Sequence, residues 1–78
     1  MDFRDINALP EGLGFSLALD VEAMTNFVNL SDATKEDVVK YIQMSDTGEE
    51  ARERTKMVVH RLRLGESVEN ISSLDRYS

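Results

Sequence analysis

The sequence contains no cysteine and no tryptophan, and only one proline and one histidine among its 78 residues. The absence of cysteine excludes disulfide bonds, cysteine-ligated zinc or iron–sulfur sites and a thiol nucleophile, and it fits a reducing compartment. No segment approaches the ~18 consecutive apolar residues of a membrane-spanning helix. Residues 1–5 are not basic and no apolar run follows them, unlike a secretory signal peptide. We therefore expect a cytoplasmic protein that does not bind membranes.

Charge of one sign dominates the sequence. Fifteen acidic residues against nine basic ones give a formal net charge of −6, which disfavours general binding to nucleic-acid phosphates or anionic lipid. The hydrophobic fraction of 41% is sufficient for a folded protein rather than a disordered acidic tail. A chain this short buries only roughly 60% of its unfolded surface, so we expect one small domain over residues 1–78.

The N-terminal part of the chain is rich in turn-forming residues. Residues 1–14 contain the only proline, Pro10, and two of the four glycines, which predicts an irregular lead-in. Residues 15–19 are too few to distinguish a strand from one or two helical turns by pattern alone. Helical turns are the preferred interpretation, because no partner strand is found elsewhere in the sequence.

Two amphipathic helices are predicted in the middle of the chain. The first covers residues 21–29 and has Asp20 as its N-cap, where the carboxylate can accept a hydrogen bond from a free backbone N–H group. The second has its start signal at Ser31-Asp32, with Thr34 as an alternative cap, and extends to about Met44, with apolar residues recurring at helical spacing. The connection between them is short, so these helices should be antiparallel or steeply crossed.

The clearest helical pattern lies in residues 48–64. Thr47 and Glu50 have the spacing of a capping box, in which Thr47 caps the helix and Glu50 reaches back. Glu50 also has the correct orientation for an i, i+4 ion pair with Arg54. Gly65 follows the last apolar residue and predicts a left-handed C-cap.

These patterns predict an all-α fold, a small compact bundle of three to four short helices. Its parts are the lead-in, a helical core over residues 15–65 and a tail over residues 66–78. The tail has Val68, Ile71 and Leu74 three residues apart, which fits either a docked turn or short helix, or a frayed terminus. The residues predicted at the centre of the core are Leu19, Phe27, Leu30, Val38, Ile42, Val58 and Leu62.

The sequence has little of what catalysis or ligand binding requires. Its only imidazole, His60, lies opposite the apolar stripe of its helix and should face solvent, far in sequence from any candidate nucleophile. No metal-binding spacing occurs, and the glycines at positions 12 and 14 lack the rest of a phosphate-loop motif. We therefore predict no catalytic residue, no cofactor and no metal site, and a protein that is not an enzyme.

The basic residues cluster on the last predicted helix. Arg52, Lys56 and Arg63 lie along one flank of it, and the two helices joined at residues 45–48 could form a helix-turn-helix. This makes a nucleic-acid-binding regulator the alternative function. Acidic residues such as Glu53 lie on the same helix and would repel phosphate, so this alternative ranks second.

Two apolar residues of the last helix, Met57 and Leu64, lie away from its core stripe. They could contact the tail or the protein's own core, be exposed without a role, or bind a partner. We predict a non-enzymatic interaction or accessory module that binds an unidentified protein or a second copy of itself. Its candidate partner surface consists of Arg52, Lys56, Met57, His60, Arg63 and Leu64.

A series of short motifs runs through three-quarters of the chain. They are Leu9-Pro10, Leu19-Asp20-Val21-Glu22-Ala23, Phe27, Leu30-Ser31, Lys35 with Tyr41-Ile42, Thr47-Gly48-Glu49-Glu50-Ala51-Arg52, and residues 62–66. In this order they resemble the C-terminal helical region of the bacteriocin-protection family, also called YdeI/OmpD-associated. The resemblance implies a bacterial origin and a link to stress or bacteriocin tolerance. It supplies no catalytic residue.

Overall fold

The computed structural model describes residues 9–71. Within this range it contains four helices and no strand. The helices are α1 (Glu11–Ala18), α2 (Val21–Val28), α3 (Asp32–Gln43) and α4 (Gly48–Leu64). The longest, α4, contacts each of the other three, with its most extensive contact to α2. The prediction of a small all-α bundle is confirmed.

Helix α1 begins earlier than the sequence indicates. Pro10 is its N-cap residue, and the Pro10 carbonyl accepts a hydrogen bond from the backbone N–H of Gly14. A proline is tolerated at a helix start because its missing N–H would have no partner there. The predicted lead-in boundary at residue 14 is therefore wrong. The burial of Leu13 and Leu17 against the core holds the helix in place despite its glycines.

The predicted N-caps of the other three helices are confirmed. In each case a side-chain oxygen accepts a hydrogen bond from the backbone N–H three residues later, over 3.0–3.2 Å. The cap residues are Asp20, Ser31 and Thr47. These contacts satisfy N–H groups that have no partner inside the helix.

Both ends of α4 follow the sequence pattern except in one detail. Gly65 has a φ of +73°, and the backbone N–H of Glu66 donates to the Arg61 carbonyl over 2.8 Å, as in a Schellman motif. The Glu50 carboxylate binds Arg54 over 2.6 Å, which confirms the i, i+4 pair. Among the described contacts, the Glu50 carboxylate does not accept a hydrogen bond from the backbone N–H of Thr47. The prediction that Glu50 reaches back to complete the capping box is therefore wrong.

Two of the predicted core positions need correction. Leu19 is 72% exposed. On a helix the inward positions Leu13 and Leu17 are one turn apart, whereas a residue two positions after Leu17 points about 200° away from it. Leu30 is only partly buried, although it packs against the core. The other five predicted centre residues are buried, namely Phe27, Val38, Ile42, Val58 and Leu62.

The first part of the tail docks on the bundle. Val68 and Ile71 are buried in the same core as the helices, and Arg61 donates a hydrogen bond to the Ser67 carbonyl over 3.3 Å. The frayed interpretation is therefore wrong for residues 66–71. The predicted contact residue Leu74 lies outside the described residues.

Candidate interaction surface

A groove runs between α1 and α4. It consists of two adjoining depressions of about 450 and 390 Å³, and Ser16 and Lys56 line both of them. The first joins the N-terminal turns of the two helices and the second joins their C-terminal turns, so α1 and α4 run in the same direction. We name this feature the α1/α4 groove. Its projecting side chains are Phe15, Leu19, Arg52, Lys56, His60 and Arg63.

The α1 wall of the groove carries two exposed apolar side chains. Phe15 is 67% exposed and Leu19, in the turn after α1, is 72% exposed. They are four residues apart, which is about one helical turn. A single exposed apolar residue requires no explanation, but these two project along the same groove. Covering them would remove apolar surface from water.

The α4 wall is basic. Because Arg52, Lys56, His60 and Arg63 follow one flank of α4, they face the groove together. Asp20 is the one carboxylate among the described groove residues, and its Oδ2 accepts a hydrogen bond from Arg63 Nε over 2.5 Å. The wall therefore has an excess of positive charge in a protein whose net charge is −6.

The cations of this wall differ in their partners. Arg63 is bound to Asp20, while Arg52 and Lys56 are exposed and have no hydrogen-bond or ion-pair partner among the described side chains of residues 9–71, which do not include that of Glu11. The pKa of Asp20 is lowered, first by the hydrogen bond from the Ala23 backbone N–H and then by Arg63. Asp20 thus stays ionised and bound to Arg63. It does not neutralise Arg52 or Lys56, so these two cations are available to an external anionic group.

The remaining α4 arginines contact groups inside the chain. The Arg54 guanidinium donates to the Tyr41 carbonyl over 2.7 Å, pairs with Glu50 and lies 4.7 Å from the Tyr41 ring centroid. Arg61 binds the tail carbonyl of Ser67. These two arginines attach α3 and the tail to α4, so the basic character of α4 is partly structural.

The six predicted partner-surface residues do not form one surface. Arg52, Lys56, His60 and Arg63 line the groove, whereas Met57 and Leu64 do not. Met57 is turned about 100° from Lys56 around the helix axis, and its Sδ accepts a hydrogen bond from the Tyr41 hydroxyl over 3.6 Å.

Met57 and Leu64 remain 44% and 59% exposed. The described part of the tail therefore leaves both side chains largely uncovered. The interpretation in which the tail covers them is wrong for residues 66–71, whereas the contact with the protein's own core is found for Met57, which binds the buried Tyr41. Neither residue lines the α1/α4 groove.

Sequence reasoning missed the apolar wall of the groove. It placed Leu19 in the core and did not include Phe15 in the candidate partner surface. The signal that was available is the i, i+4 pair of Leu13 and Leu17, which defines an inward face for α1. Continuing that helix to Ala18 directs Phe15 and Leu19 outward, toward the groove.

Other kinds of site find no support among residues 9–71. No group of three or more histidine, aspartate or glutamate side chains there could hold a metal ion. His60 is exposed at the edge of the groove, as the sequence predicts. None of the described helices combines the length and apolar character needed to cross a bilayer.

Comparisons with protein-family models, curated proteins and solved structures found no match for this chain. The resemblance to the bacteriocin-protection family therefore stays a prediction.

Proposed function

We propose that this chain is a non-enzymatic protein-interaction module and that the α1/α4 groove is its binding surface. The observation that carries the proposal is the juxtaposition of two exposed apolar side chains with two cations that lack described partners. Phe15 and Leu19 form one wall, and Arg52 and Lys56 project from the other. An apolar contact area beside charged groups is the usual composition of a protein-binding site.

The energetics favour a protein ligand. Burying a phenylalanine or leucine side chain fully contributes on the order of 1.5–3 kcal/mol. The neighbouring cations add orientation and partner selection more than affinity. A nucleic-acid backbone would use the cations but would leave Phe15 and Leu19 in water.

The alternative of a nucleic-acid-binding regulator is less well supported. Arg54, Arg61 and Arg63 already bind groups within the chain. Exposed Glu49 and Glu53 lie on the same helix and would repel phosphate. Two available cations are few for a protein that depends on phosphate contacts.

The proposal includes a cytoplasmic location, which fits the absence of cysteine. It also includes the process that the family resemblance implies, a role in stress or bacteriocin tolerance. In that process the module would act by binding another protein.

Site-specific photo-crosslinking in the cells that produce the protein tests the proposal. In one variant a photoreactive phenylalanine analogue replaces Phe15 in the groove. In the matched control variant the same analogue replaces Val28, an exposed apolar residue of α2 outside the groove. We expect protein adducts of defined mass from position 15 and not from position 28. Adducts that disappear on nuclease treatment, equal adducts from both positions, or none from position 15 would contradict the proposal.

A further inference from the structure

We infer that the ligand of the α1/α4 groove is an acidic amphipathic helix of a partner protein. This inference rests on the proposed function, because it names the chemistry of the ligand that the interaction module binds. Charge, spacing and the shape of the groove support it.

The charges of the groove complement those of an acidic ligand. The described residues that line the groove include three permanently cationic side chains and one carboxylate, and that carboxylate, Asp20, is already bound to Arg63. The rest of the protein is strongly acidic, since the net charge is −6. An acidic ligand is repelled by the protein's overall charge and attracted at the groove, which favours binding there over binding elsewhere.

The spacing of the contact groups on the two walls also matches a helix. Arg52 and Lys56 are four residues apart on α4, which separates them by about 6 Å along the helix axis. Phe15 in α1 and Leu19 in the turn after it have the same sequence spacing. A helix with carboxylates one turn apart on one side and apolar side chains one turn apart on the other matches both walls.

The shape of the groove fits a helix. Two helices running in the same direction form the groove, and the α4 wall from residue 48 to residue 63 is about 22 Å long at the helical rise of 1.5 Å per residue. A ligand helix of roughly four turns would lie along this wall and would contact the shorter α1 wall, residues 10–20, over about three of those turns. Residues 9–71 contain no strand whose edge could receive an extended peptide, so strand addition is not available there, and the two walls favour a helix in the groove.

The acidic character of the ligand distinguishes a partner protein from a second copy of this chain. Two copies each carry a net charge of −6, so their association is opposed by long-range repulsion. Self-association through the groove is therefore an outcome that contradicts the inference.

A peptide selection tests the inference. The full chain is immobilised and used to select binders from a displayed library of random peptides of about 16 residues, the length of four helical turns. We expect the enriched peptides to be net acidic, with apolar residues at i, i+3 or i+4, and i+7. Enrichment of basic or uncharged peptides, or no enrichment, would overturn the inference.

Charge-reversal variants then locate the binding site. One enriched peptide is labelled and titrated by fluorescence anisotropy against the wild type, Lys56→Glu and the matched control Lys40→Glu. Lys40 is exposed on α3 outside the groove, so both variants change the net charge equally. We expect about tenfold weaker binding for Lys56→Glu and little change for Lys40→Glu. Equal weakening by both variants, or none by Lys56→Glu, would contradict a groove-bound acidic peptide.

Two further readouts separate the possible failures. Sedimentation equilibrium measures the oligomeric state of the wild type and of Lys56→Glu. A dimeric wild type and a monomeric Lys56→Glu variant would assign the groove to a second copy and overturn the inference. If position 15 gives protein adducts in cells but the selection yields no acidic peptides, the proposed function stands and the inference of an acidic helix is rejected. If acidic peptides bind at the groove but position 15 gives no protein adduct in cells, the result contradicts the proposed function and not the preference of the groove for acidic peptides.

Discussion

The side-chain amide of Asn26 on α2 donates a hydrogen bond to the backbone carbonyl of Leu62 on α4, over 2.5 Å. The two residues are 36 positions apart in the sequence. Carbonyl groups in the last turn of a helix lack partners within that helix, so a residue of one helix caps the end of another. Together with the ion pair between Asp20 and Arg63, this contact fixes α2 against the C-terminal turns of α4.

Replacing Asn26 should therefore destabilise the fold. We expect Asn26→Ala to reduce the free energy of unfolding by about 1 kcal/mol, because the Leu62 carbonyl retains only its bond from the Gly65 backbone N–H. Urea unfolding measures the change. Asn29→Ala, at an exposed position after α2, is the control and should change stability by less than about 0.5 kcal/mol. Equal effects of the two substitutions would contradict the capping role.

The same substitution at two glycines should have opposite effects. Gly12 lies in α1 with no atom within 4 Å of an added Cβ, so Gly12→Ala should stabilise the protein by about 0.5–1 kcal/mol through its higher helix propensity. Gly65 has a φ of +73°, so Gly65→Ala should cost about 1 kcal/mol. Thermal unfolding should show a rise of several degrees for the first variant and a fall for the second. A neutral Gly65→Ala would mean that α4 continues through this position.

Two apolar residues predicted for the core should respond differently to truncation. Phe27 is 2% exposed, so Phe27→Ala should cost about 3–5 kcal/mol, a large part of the stability of so small a domain. Leu19 is exposed in the groove, so Leu19→Ala should leave the urea midpoint nearly unchanged. A folded Phe27→Ala protein with the wild-type melting temperature would contradict the core assignment.

The ion pair and cap at Asp20 predict a pH dependence of stability. The pKa of Asp20 is lowered in the folded protein relative to about 3.9 in an unfolded chain. Its contribution is therefore complete above the unfolded pKa and is lost as the pH falls through the lower folded pKa. We compare the wild type with Asp20→Asn, which keeps a capping oxygen without the charge. The difference in their urea midpoints should shrink below about pH 4, and a constant difference down to low pH would contradict the assignment.

Two arginines of α4 should differ in their tolerance of lysine. Arg54 binds the Tyr41 carbonyl and Glu50 at once and covers the Tyr41 ring, which a lysine cannot reproduce. We expect Arg54→Lys to cost about 1 kcal/mol. Arg52→Lys, at an exposed position without a described partner, should stay within about 0.5 kcal/mol. Chemical denaturation measures both variants, and an equal cost would show that Arg54 is not a structural residue.

The candidate site could be predicted only in part from the sequence. Helical spacing is enough to place Arg52, Lys56 and Arg63 on one flank of α4, because it depends on that helix alone. It does not show which neighbouring helix faces that flank. Phe15 and Leu19 become part of the surface only because α1 lies beside α4, and their pattern alone was compatible with burial. Met57 was grouped with the basic residues by exposure, whereas its contact with Tyr41 places it elsewhere.

Residue types a few positions apart are enough to specify the local structure: the caps at Asp20, Ser31 and Thr47, the left-handed end of α4 at Gly65, and the all-α class. These features depend on contacts within one helix or at its ends, so the sequence pattern predicts them directly. Three other features follow only from packing the whole molecule: the burial of Leu13 rather than Leu19, the bond from Asn26 to Leu62, and the groove between α1 and α4. Each of them depends on which helices lie side by side. A short apolar pattern is compatible with more than one such arrangement, and the packing of the complete core selects one of them.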